Sequence, residues 1–420
     1  MTTIKIIDAP MGAGKTTAII NRLKDHNLNT QERFIYITPY LSEVERLKEN
    51  LCACNYHVPE DTNKKTQQVK TLIEKGESII TTHALLKGSE IAIADLIQSS
   101  PYSYQLIIDE EYPCCEACYK AGVKEGYPSL DEYQLLKENE WIKEDDTGLI
   151  TWTTTKDTSV YQSFKTVCTT KDVYFFKNSY IVLTPKRMWE SYASVTLLTY
   201  RFKYSSFGCY CDLHGFNTQY YHIEDGVIKE GYKESYPIGL NRILLYNDHT
   251  VKGTYDLSKA WYGKTENTAK IKTLRTKTTT FLKKFPCKTK LWCTFKSYEK
   301  AFISKNISAK DAIACNCHAT NDYQDKTALA YLVNRFMNPF IKQFLEDHNV
   351  TIKEDEWALN ELLQLIWRTN IRVPLNTQSN SNTEKDNTIH LFIPSSRMRK
   401  LLKDWIERGN TISHINKDNE

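Results

Sequence analysis

The feature that most constrains the fold is the segment at residues 4–20, IKIIDAPMGAGKTTAII. An apolar run typical of a buried strand comes first, a loop with two glycines follows, and a helical pattern begins at Lys-Thr-Thr. This order is that of a Walker A phosphate-binding loop, with Ala9 in place of the usual first glycine. We therefore predict an α/β fold that binds a nucleoside triphosphate through Pro10, Met11, Gly12, Ala13, Gly14, Lys15, Thr16 and Thr17.

The residue types in this loop have distinct chemical roles. Gly12 and Gly14 allow the tight backbone turn that directs N–H groups at phosphate oxygens. Lys15 is expected to reach the β- and γ-phosphates of ATP, and the hydroxyl of Thr16 is expected to bind Mg²⁺. The alternative, a chance glycine turn before a helix, does not account for the order of strand, loop, Lys-Thr and helix.

A second candidate element is the strand YQLIIDE at residues 104–110, which ends in two carboxylates. In an open α/β sheet, ligands bind at the carboxyl ends of the strands. We predict that Asp109 holds the same Mg²⁺ as Thr16 and that Glu110 orients and deprotonates the attacking water. Alone, an acidic strand end could equally cap a helix, but its combination with a Walker A loop favours the catalytic interpretation.

The first hundred residues alternate between strand-like and helix-like segments. Strands are predicted at 34–38, 77–82 and 104–110, and helices at 42–51 and 67–75, the first of them beginning with a Ser42–Glu45 capping box. Alternation of this kind predicts a parallel sheet with right-handed crossovers.

The segments APMGAGKTT, ITPYLSEVERL, IITTHALL and LIIDEEY, in this order, resemble motifs I, Ia, Ib and II of superfamily-2 helicases. The loop is especially similar to those of herpesvirus origin-binding helicases. The segments ACNCHATNDY, LAYLVNRFMNP, ELLQLIWRTNIR and IPSSRMRKLLKDWI look like a group of phage-encoded DEAD/DEAH-type helicases. The resemblance covers both ends of the chain and leaves roughly 115–280 poorly matched.

The resemblance implies two RecA-like P-loop domains with parallel sheets, plus an insertion after motif II. We expect the first domain at 1–205 with the insertion at about 113–178, an aromatic-rich connecting region at 206–285, and the second domain at 286–420. Thr199 and Tyr200 are candidates for motif III, although they depart from the family's Ser-Ala-Thr.

Motif VI of superfamily 2 resembles the segment around Gln364, Arg368 and Arg372. A helix is predicted over residues 359–372, and residues four apart project from one face of a helix. The resemblance implies that this face contributes the arginine finger for ATP hydrolysis. Trp367 replaces the motif's glycine, however, and the second arginine falls one residue late. A surface helix with incidental arginines is the alternative.

The rest of the second half gives two helices. One is predicted at 326–346, broken at Asn338-Pro339. The other covers SSRMRKLLKDWIERG, capped by Ser395 or Ser396 and ended by Gly409. This last helix carries four basic residues, which either form a solvated face or contact phosphates: Arg397, Arg399, Lys400 and Lys403.

Aromatic residues are concentrated between 203 and 272. With interleaved lysines they could stack on the bases of a single strand, but aromatic residues are more often part of a sheet core.

The twelve cysteines contain no pair of CxxC motifs with structural-zinc spacing. We expect buried or surface thiols without metal, and the alternative is a zinc site using Cys114, Cys115 and Cys118. No apolar run approaches the ~20 residues of a membrane span. We therefore expect no membrane partner and a cytoplasmic location, that of the bacterial host if the chain is phage-encoded.

The resemblance implies an ATP-dependent nucleic-acid helicase or translocase acting in phage DNA replication or recombination, with DNA a better expectation than RNA and replication proteins as possible partners. A net charge of +4 permits nucleic-acid binding but does not demand it. Two alternatives stay open: a nucleic-acid-stimulated ATPase switch without strand separation, and a P-loop small-molecule kinase.

Overall fold

The structure is a computed structural model of the whole chain. It describes residues 2–25, 31–51, 54–60, 64–118, 126–156, 159–246, 255–315, 323–372 and 387–417. The chain forms two compact units. The first consists of Met1–Ala9, Ala13–Lys233 and Asn338–Ile352, and the second of Pro10–Gly12, Glu234–Met337 and Lys353–Glu420.

The elements follow one another along the chain in four groups. The first group is β1 (Thr3–Asp8), α1 (Lys15–Lys24), β2 (Glu32–Thr38), α2 (Leu41–Asn50), β3 (Tyr56–His57), α3 (Lys65–Glu74), β4 (Ser78–Thr82), α4 (His83–Leu86), α5 (Glu90–Ser99) and β5 (Ser103–Asp109). The second is β6 (Cys115–Cys118), α6 (Leu130–Glu138), β7 (Ile142–Glu144), β8 (Leu149–Trp152), α7 (Gln162–Thr170), β9 (Asp172–Phe176) and β10 (Ser179–Leu183). The third is α8 (Lys186–Glu190), β11 (Ser194–Thr199), α9 (Ser206–His214), β12 (Asn217–Glu224) and β13 (Val227–Glu230). The fourth is β14 (Ile243–Leu245), α10 (Lys259–Gly263), α11 (Thr268–Leu282), β15 (Lys290–Cys293), β16 (Ala328–Tyr331), α12 (Pro339–Asp347), α13 (Glu354–Ile366), β17 (Ile389–Phe392) and α14 (Ser396–Lys417).

The first unit is built on an eight-stranded sheet in the order β13-β12-β1-β11-β5-β2-β4-β3. All neighbours in it are parallel except β12 and β13, which form an antiparallel edge pair. The central strands are apolar along their length because helices cover a parallel sheet on both faces. This confirms the predicted α/β class with parallel sheets, and it places the ends of β1, β11, β5 and β2 side by side.

The insertion after β5 is a separate antiparallel sheet in the order β6-β10-β9-β8-β7. Its core is largely aromatic and includes Tyr133, Phe164 and Tyr180. The expected end of the insertion at about residue 178 is too early, because β10 pairs with β6 and β9 of this sheet. Residues 206–233, expected in a connecting region, belong to the first unit, where β12 lies beside β1.

The second unit contains a four-stranded parallel sheet in the order β14-β17-β16-β15. Helix α11 packs on β16, and the core includes Leu274, Phe281, Trp292 and Phe392. A second parallel α/β unit is therefore present, as predicted, but it begins at Glu234 rather than at residue 286.

The helix predicted over 326–346 is wrong in its first half. Residues 328–331 form β16, and α12 begins only at Pro339, where the Asn338 side chain accepts a hydrogen bond from Phe340 N. A short buried apolar run has no periodicity that separates strand from helix. Helix α12 lies in the first unit, where Phe344 packs on Tyr174 of the insertion sheet at a ring separation of 5.0 Å.

Two helix-end predictions also need correction. Helix α2 is present, but its N-cap is Tyr40 and Ser42 lies inside its first turn, so Ser42 and Glu45 form no capping box. Helix α14 continues through Gly409 to Lys417 instead of ending there. A Cβ at Gly409 would lie 2.4 Å from Leu240 Cδ1, so this glycine allows close packing of the helix rather than ending it.

Candidate functional site

The loop between β1 and α1 has the backbone of a phosphate cradle. Gly12 and Gly14 have φ of 83° and 85°, the left-handed region that glycine adopts without strain. No described atom lies within 4 Å of the position a Cβ would take at either glycine, so the concave side of the loop is open. Helix α1 starts at Lys15, and its N-cap Gly14 has no side chain to occupy the N–H groups of the first turn. The N–H donors of this turn and the helix dipole together favour an anion.

The metal-binding pair predicted from sequence is brought together. The Thr16 hydroxyl of α1 donates to Asp109 Oδ2 at the end of β5, at 3.1 Å. The Lys15 ammonium donates to Ala9 O at 2.5 Å, which holds this side chain along its own loop. A hydroxyl and a carboxylate in direct contact are oxygen ligands of the kind that Mg²⁺ prefers.

Sequence reasoning missed Tyr36 in the middle of β2. Its side chain is fully buried, and its hydroxyl donates to Asp109 Oδ2 at 3.2 Å, the oxygen that Thr16 also contacts. Burial and the neighbouring carboxylate raise the pKa of this hydroxyl well above 10, so it is a permanent donor. A tyrosine in an apolar strand is typical of a sheet core, and only the strand order β5-β2 reveals the contact.

The surroundings of Asp109 disfavour its ionised form. Desolvation and the adjacent Glu110 raise its pKa to about 6, while Lys15 and the Thr16 hydroxyl lower it. A carboxylate whose ionised form is under-stabilised gains most from a bound cation, because a metal supplies the missing positive charge. The fit of Asp109 and Thr16 to Mg²⁺ therefore rests on charge as well as on donor type.

Glu110 follows directly and has φ of 65°, which costs free energy for a residue with a side chain. Its N–H donates to Leu198 O of β11 at 3.0 Å, so the neighbouring strand holds this conformation. Glu111 accepts a hydrogen bond from Phe207 N at the start of α9 with an N···O distance of 2.9 Å. The three consecutive carboxylates thus have different surroundings, and the strained one is the predicted water-activating residue.

The candidate motif III lies between the two nucleotide elements, since β11 separates β1 from β5. Ala9 N donates to Thr199 O at 3.1 Å. Beyond Tyr200, the N–H groups of Arg201 and Phe202 donate to the two carboxylate oxygens of Asp8, at 2.7 and 3.0 Å. Burial raises the pKa of Asp8 despite these bonds. The end of β11 is therefore tied directly to the start of the phosphate loop.

The turns at Thr38 and at Thr82-His83, in the segments that resemble motifs Ia and Ib, are partly buried. Thr38 is fully buried, and His83 is 9% exposed. Burial lowers the pKa of His83 to about 4, so its imidazole is neutral at physiological pH. The basic residue next to this turn, Lys87, pairs with Glu116. These contacts give the two turns an internal structural role.

The second unit changes the prediction for the arginine finger. Helix α13 ends at Ile366, so Gln364, Arg368 and Arg372 do not share one helical face. Arg368 is 5% exposed with Nη2 at 3.5 Å from Gln364 Oε1, whereas Arg372 lies in a separate 3₁₀ turn, Asn370–Arg372. Four-residue spacing predicts a common face only while the helix continues, and it ends one residue before Trp367, which is buried against Trp405.

Another arginine of this unit was not predicted. Arg335 Nη2 lies 2.8 Å from Glu361 Oε2 of α13, and both side chains are largely buried. The adjacent Glu361 and Cys315 raise the pKa of Arg335, against the effect of burial. The pair anchors α13 to the segment that follows β16.

The basic residues of α14 have two different environments. Arg397 contacts Asp355, the side-chain oxygen of Asn334 and Arg335 O, and Arg399 donates to Tyr246 O at 3.0 Å. Lys400 and Lys403 are exposed. The two arginines are therefore part of the internal structure of the unit, which weakens the expectation that they contact phosphates.

Many of the described cysteines and aromatic residues are buried. Cys114 is buried, and among the described residues no group of three His, Cys, Asp or Glu side chains is arranged to hold a metal. The described residues do not include Cys52, Cys317 or most of the segment ACNCHATNDY, and they do not include the side chain of Cys118. Several aromatics between 203 and 272 are core residues: Phe207, Tyr210, Tyr255, Trp261 and Tyr262.

With this geometry established, comparisons with known proteins identify the relatives. The chain is 31% identical over 435 residues to the SPbeta prophage-derived protein YonV of Bacillus subtilis (strain 168), covering 97% of this chain and 99% of that protein. The chain belongs to the YonV family. Residues 129–183 match the YonV middle domain, and residues 238–406 match the YonV C-terminal Rossmann-like domain.

Two solved structures are similar over most of the chain. One is an XPD helicase, with 9% identity and a TM-score of 0.46, and the other is Xpd4 of S. tokodaii, with 10% identity and a TM-score of 0.48. Each comparison covers 96% of this chain and 94% of the other. The prophage relative supports the phage part of the predicted resemblance, and these comparisons do not support the herpesvirus likeness. No helix in the described ranges is long and apolar enough to cross a membrane.

Proposed function

We propose that the chain is a Mg²⁺-dependent ATPase of the superfamily-2 helicase type, with two RecA-like units, that acts on nucleic acid in a phage. The observation that carries the proposal is the contact of Thr16 with Asp109 beside an open phosphate loop. A P-loop needs these two side chains together, because one metal ion must meet both the hydroxyl and the carboxylate.

The residues then have separate tasks. Backbone N–H groups of the loop and the first turn of α1 bind phosphate oxygens, and Lys15 adds a positive charge there. Thr16 and Asp109 would hold Mg²⁺, which when bound neutralises charge on the phosphates. Tyr36 keeps Asp109 in place through its hydrogen bond. Glu110 orients the attacking water and accepts its proton.

A cation is still needed for the charge that develops during phosphoryl transfer, and Arg368 or Arg372 stays the predicted source. Such an arginine finger raises the turnover number by a factor of ~10³–10⁵. Arg368→Ala should therefore keep ATP binding and lose most hydrolysis. A nucleic-acid-stimulated ATPase switch would use the same site without separating strands. A strand-displacement assay distinguishes it from a helicase.

The phosphate site is tested by Lys15→Ala, with Lys24→Ala on the same helix as the matched control because Lys24 is exposed at the far end of α1. Binding of a fluorescent ATP analogue and ATP hydrolysis are measured for both variants. We expect hydrolysis to be lost in Lys15→Ala and unchanged in Lys24→Ala. Equal activity of the two variants would refute the site.

The kinase alternative predicts a different product. If phosphate from ATP appears on a small-molecule acceptor rather than as inorganic phosphate, the proposed function fails while the nucleotide site remains. Analysis of the reaction products with γ-labelled ATP distinguishes the two.

A further inference from the structure

Positive charge is concentrated in one stretch of the second unit. Between residues 264 and 310 there are thirteen Lys and Arg but only two Asp and Glu. The rest of the chain has 42 basic and 49 acidic residues, a net charge of −7 outside this stretch. An asymmetry of this size within one chain indicates a polyanionic partner, because unscreened like charges cost free energy unless a partner neutralises them.

The charges lie at the surface. Ten of the thirteen basic residues are exposed: Lys264, Lys270, Lys272, Lys283, Lys284, Lys288, Lys296, Lys300, Lys305 and Lys310. Within the same stretch Arg275 and Lys277 are partly exposed, and only Lys290 is buried. Exposure leaves the ammonium groups able to reach a ligand.

The lysines belong to neighbouring elements. Helix α11 turns Leu274, Thr278, Phe281 and Leu282 into the core, so Lys272 and Lys283, eleven residues apart, fall on its opposite side. The 3₁₀ segment Lys296–Ala301 packs against α11, and its Lys296 and Lys300 are exposed. We call the exposed lysines of α11, of the turn after it and of this segment the α11 surface.

The composition of this surface selects the partner. Its cations are almost all lysines, which act as point charges on phosphates, whereas reading of bases commonly uses the planar, bidentate arginine side chain. Between its lysines α11 exposes threonines, and its large apolar residues Leu274, Phe281 and Leu282 are in the core. A membrane-surface helix instead needs an apolar face available for insertion. Nucleic acid fits both features.

We infer that the α11 surface binds the sugar–phosphate backbone of nucleic acid without reading its base sequence. This inference rests on the proposed function, and it gives the second unit a binding face that the sequence motifs did not indicate. The internal contacts of Arg397 and Arg399 are consistent with it, since they remove those side chains from the expected footprint on α14.

The test compares two charge-matched double variants of the full chain. Lys272→Gln with Lys283→Gln alters the α11 surface, and Lys143→Gln with Lys156→Gln is the control on exposed positions of the insertion after β5. Fluorescence anisotropy with labelled single-stranded DNA, without nucleotide, gives affinity at several salt concentrations. Losing two phosphate contacts on a single strand should lower the log–log salt slope by ~1.4 and the affinity by ~25-fold near 0.1 M salt.

The outcomes separate the inference from the function it rests on. The expected result is this loss in the α11 variant alone, with basal ATP hydrolysis unchanged in both variants and similar affinity for strands of different sequence. Equal affinity of the two variants would overturn the inference and leave the proposed function standing. If the unaltered chain binds neither DNA nor RNA at low salt, the proposed function fails as well. Tighter, Lys272- and Lys283-dependent binding to phosphatidylserine vesicles would also overturn the inference.

Discussion

Replacing Asp109 with asparagine should stabilise the first unit while removing the carboxylate assigned to Mg²⁺. The folded structure raises the pKa of Asp109 from 3.8 to about 6, mainly by desolvation. A raised carboxyl pKa means that ionisation opposes folding above pH 3.8, and the penalty grows until the pH passes the folded value. The difference between the two pKa values corresponds to about 3 kcal/mol at pH 8 and to about half of that at pH 5.

Calorimetry in EDTA measures this directly. For a unit of this size, about 3 kcal/mol should raise the melting temperature by ~6–12 °C at pH 8, and by about half as much at pH 5. Asp146→Asn is the control, because Asp146 is exposed in the same unit and should cause little change. A shift that does not grow between pH 5 and pH 8, or a lower melting temperature, would refute the argument that Asp109 is an under-stabilised carboxylate.

Three further substitutions test other parts of the account. Tyr36→Phe removes a donor to ionised Asp109, so it should raise the pKa of that carboxyl and move the acidic limb of the pH–kcat profile to higher pH. Hydrolysis should fall ~10-fold, consistent with the ~1.5–3 kcal/mol of a hydrogen bond to a charged group. An unchanged profile would contradict this. Glu110→Gln should keep Mg-ATP binding but turn over slowly, and loss of nucleotide binding would show that its role is wrong. Gly409→Ala should destabilise the second unit by ~1–3 kcal/mol in calorimetry because the added methyl overlaps neighbouring side chains, and an unchanged melting temperature would disprove the close packing.

The geometry of the candidate site was predictable because its signal is local. A strand, two loop glycines and a helix start lie within 20 residues, and the acidic end of β5 supplies the carboxylate that Thr16 contacts. The role of Tyr36 was not predictable, because it depends on which strand lies beside β5, and strand order is a property of the whole sheet.

The failed predictions came from extending a local pattern too far. The spacing of Gln364, Arg368 and Arg372 predicts a common face only if the helix continues, and α13 ends at Ile366. Gly409 is typical of a helix end, yet here it makes room for a neighbouring side chain. The apolar run of β16 has the composition of either element, and only pairing with β15 and β17 decides it.

The most direct test of the central claim is the steady-state rate of ATP hydrolysis with and without single-stranded DNA, RNA and duplex DNA, for the unaltered chain and for Lys15→Ala. The account predicts Mg²⁺-dependent hydrolysis that at least one of these nucleic acids accelerates, and none in Lys15→Ala. Hydrolysis that is indifferent to all three nucleic acids, or that persists in Lys15→Ala, would contradict it.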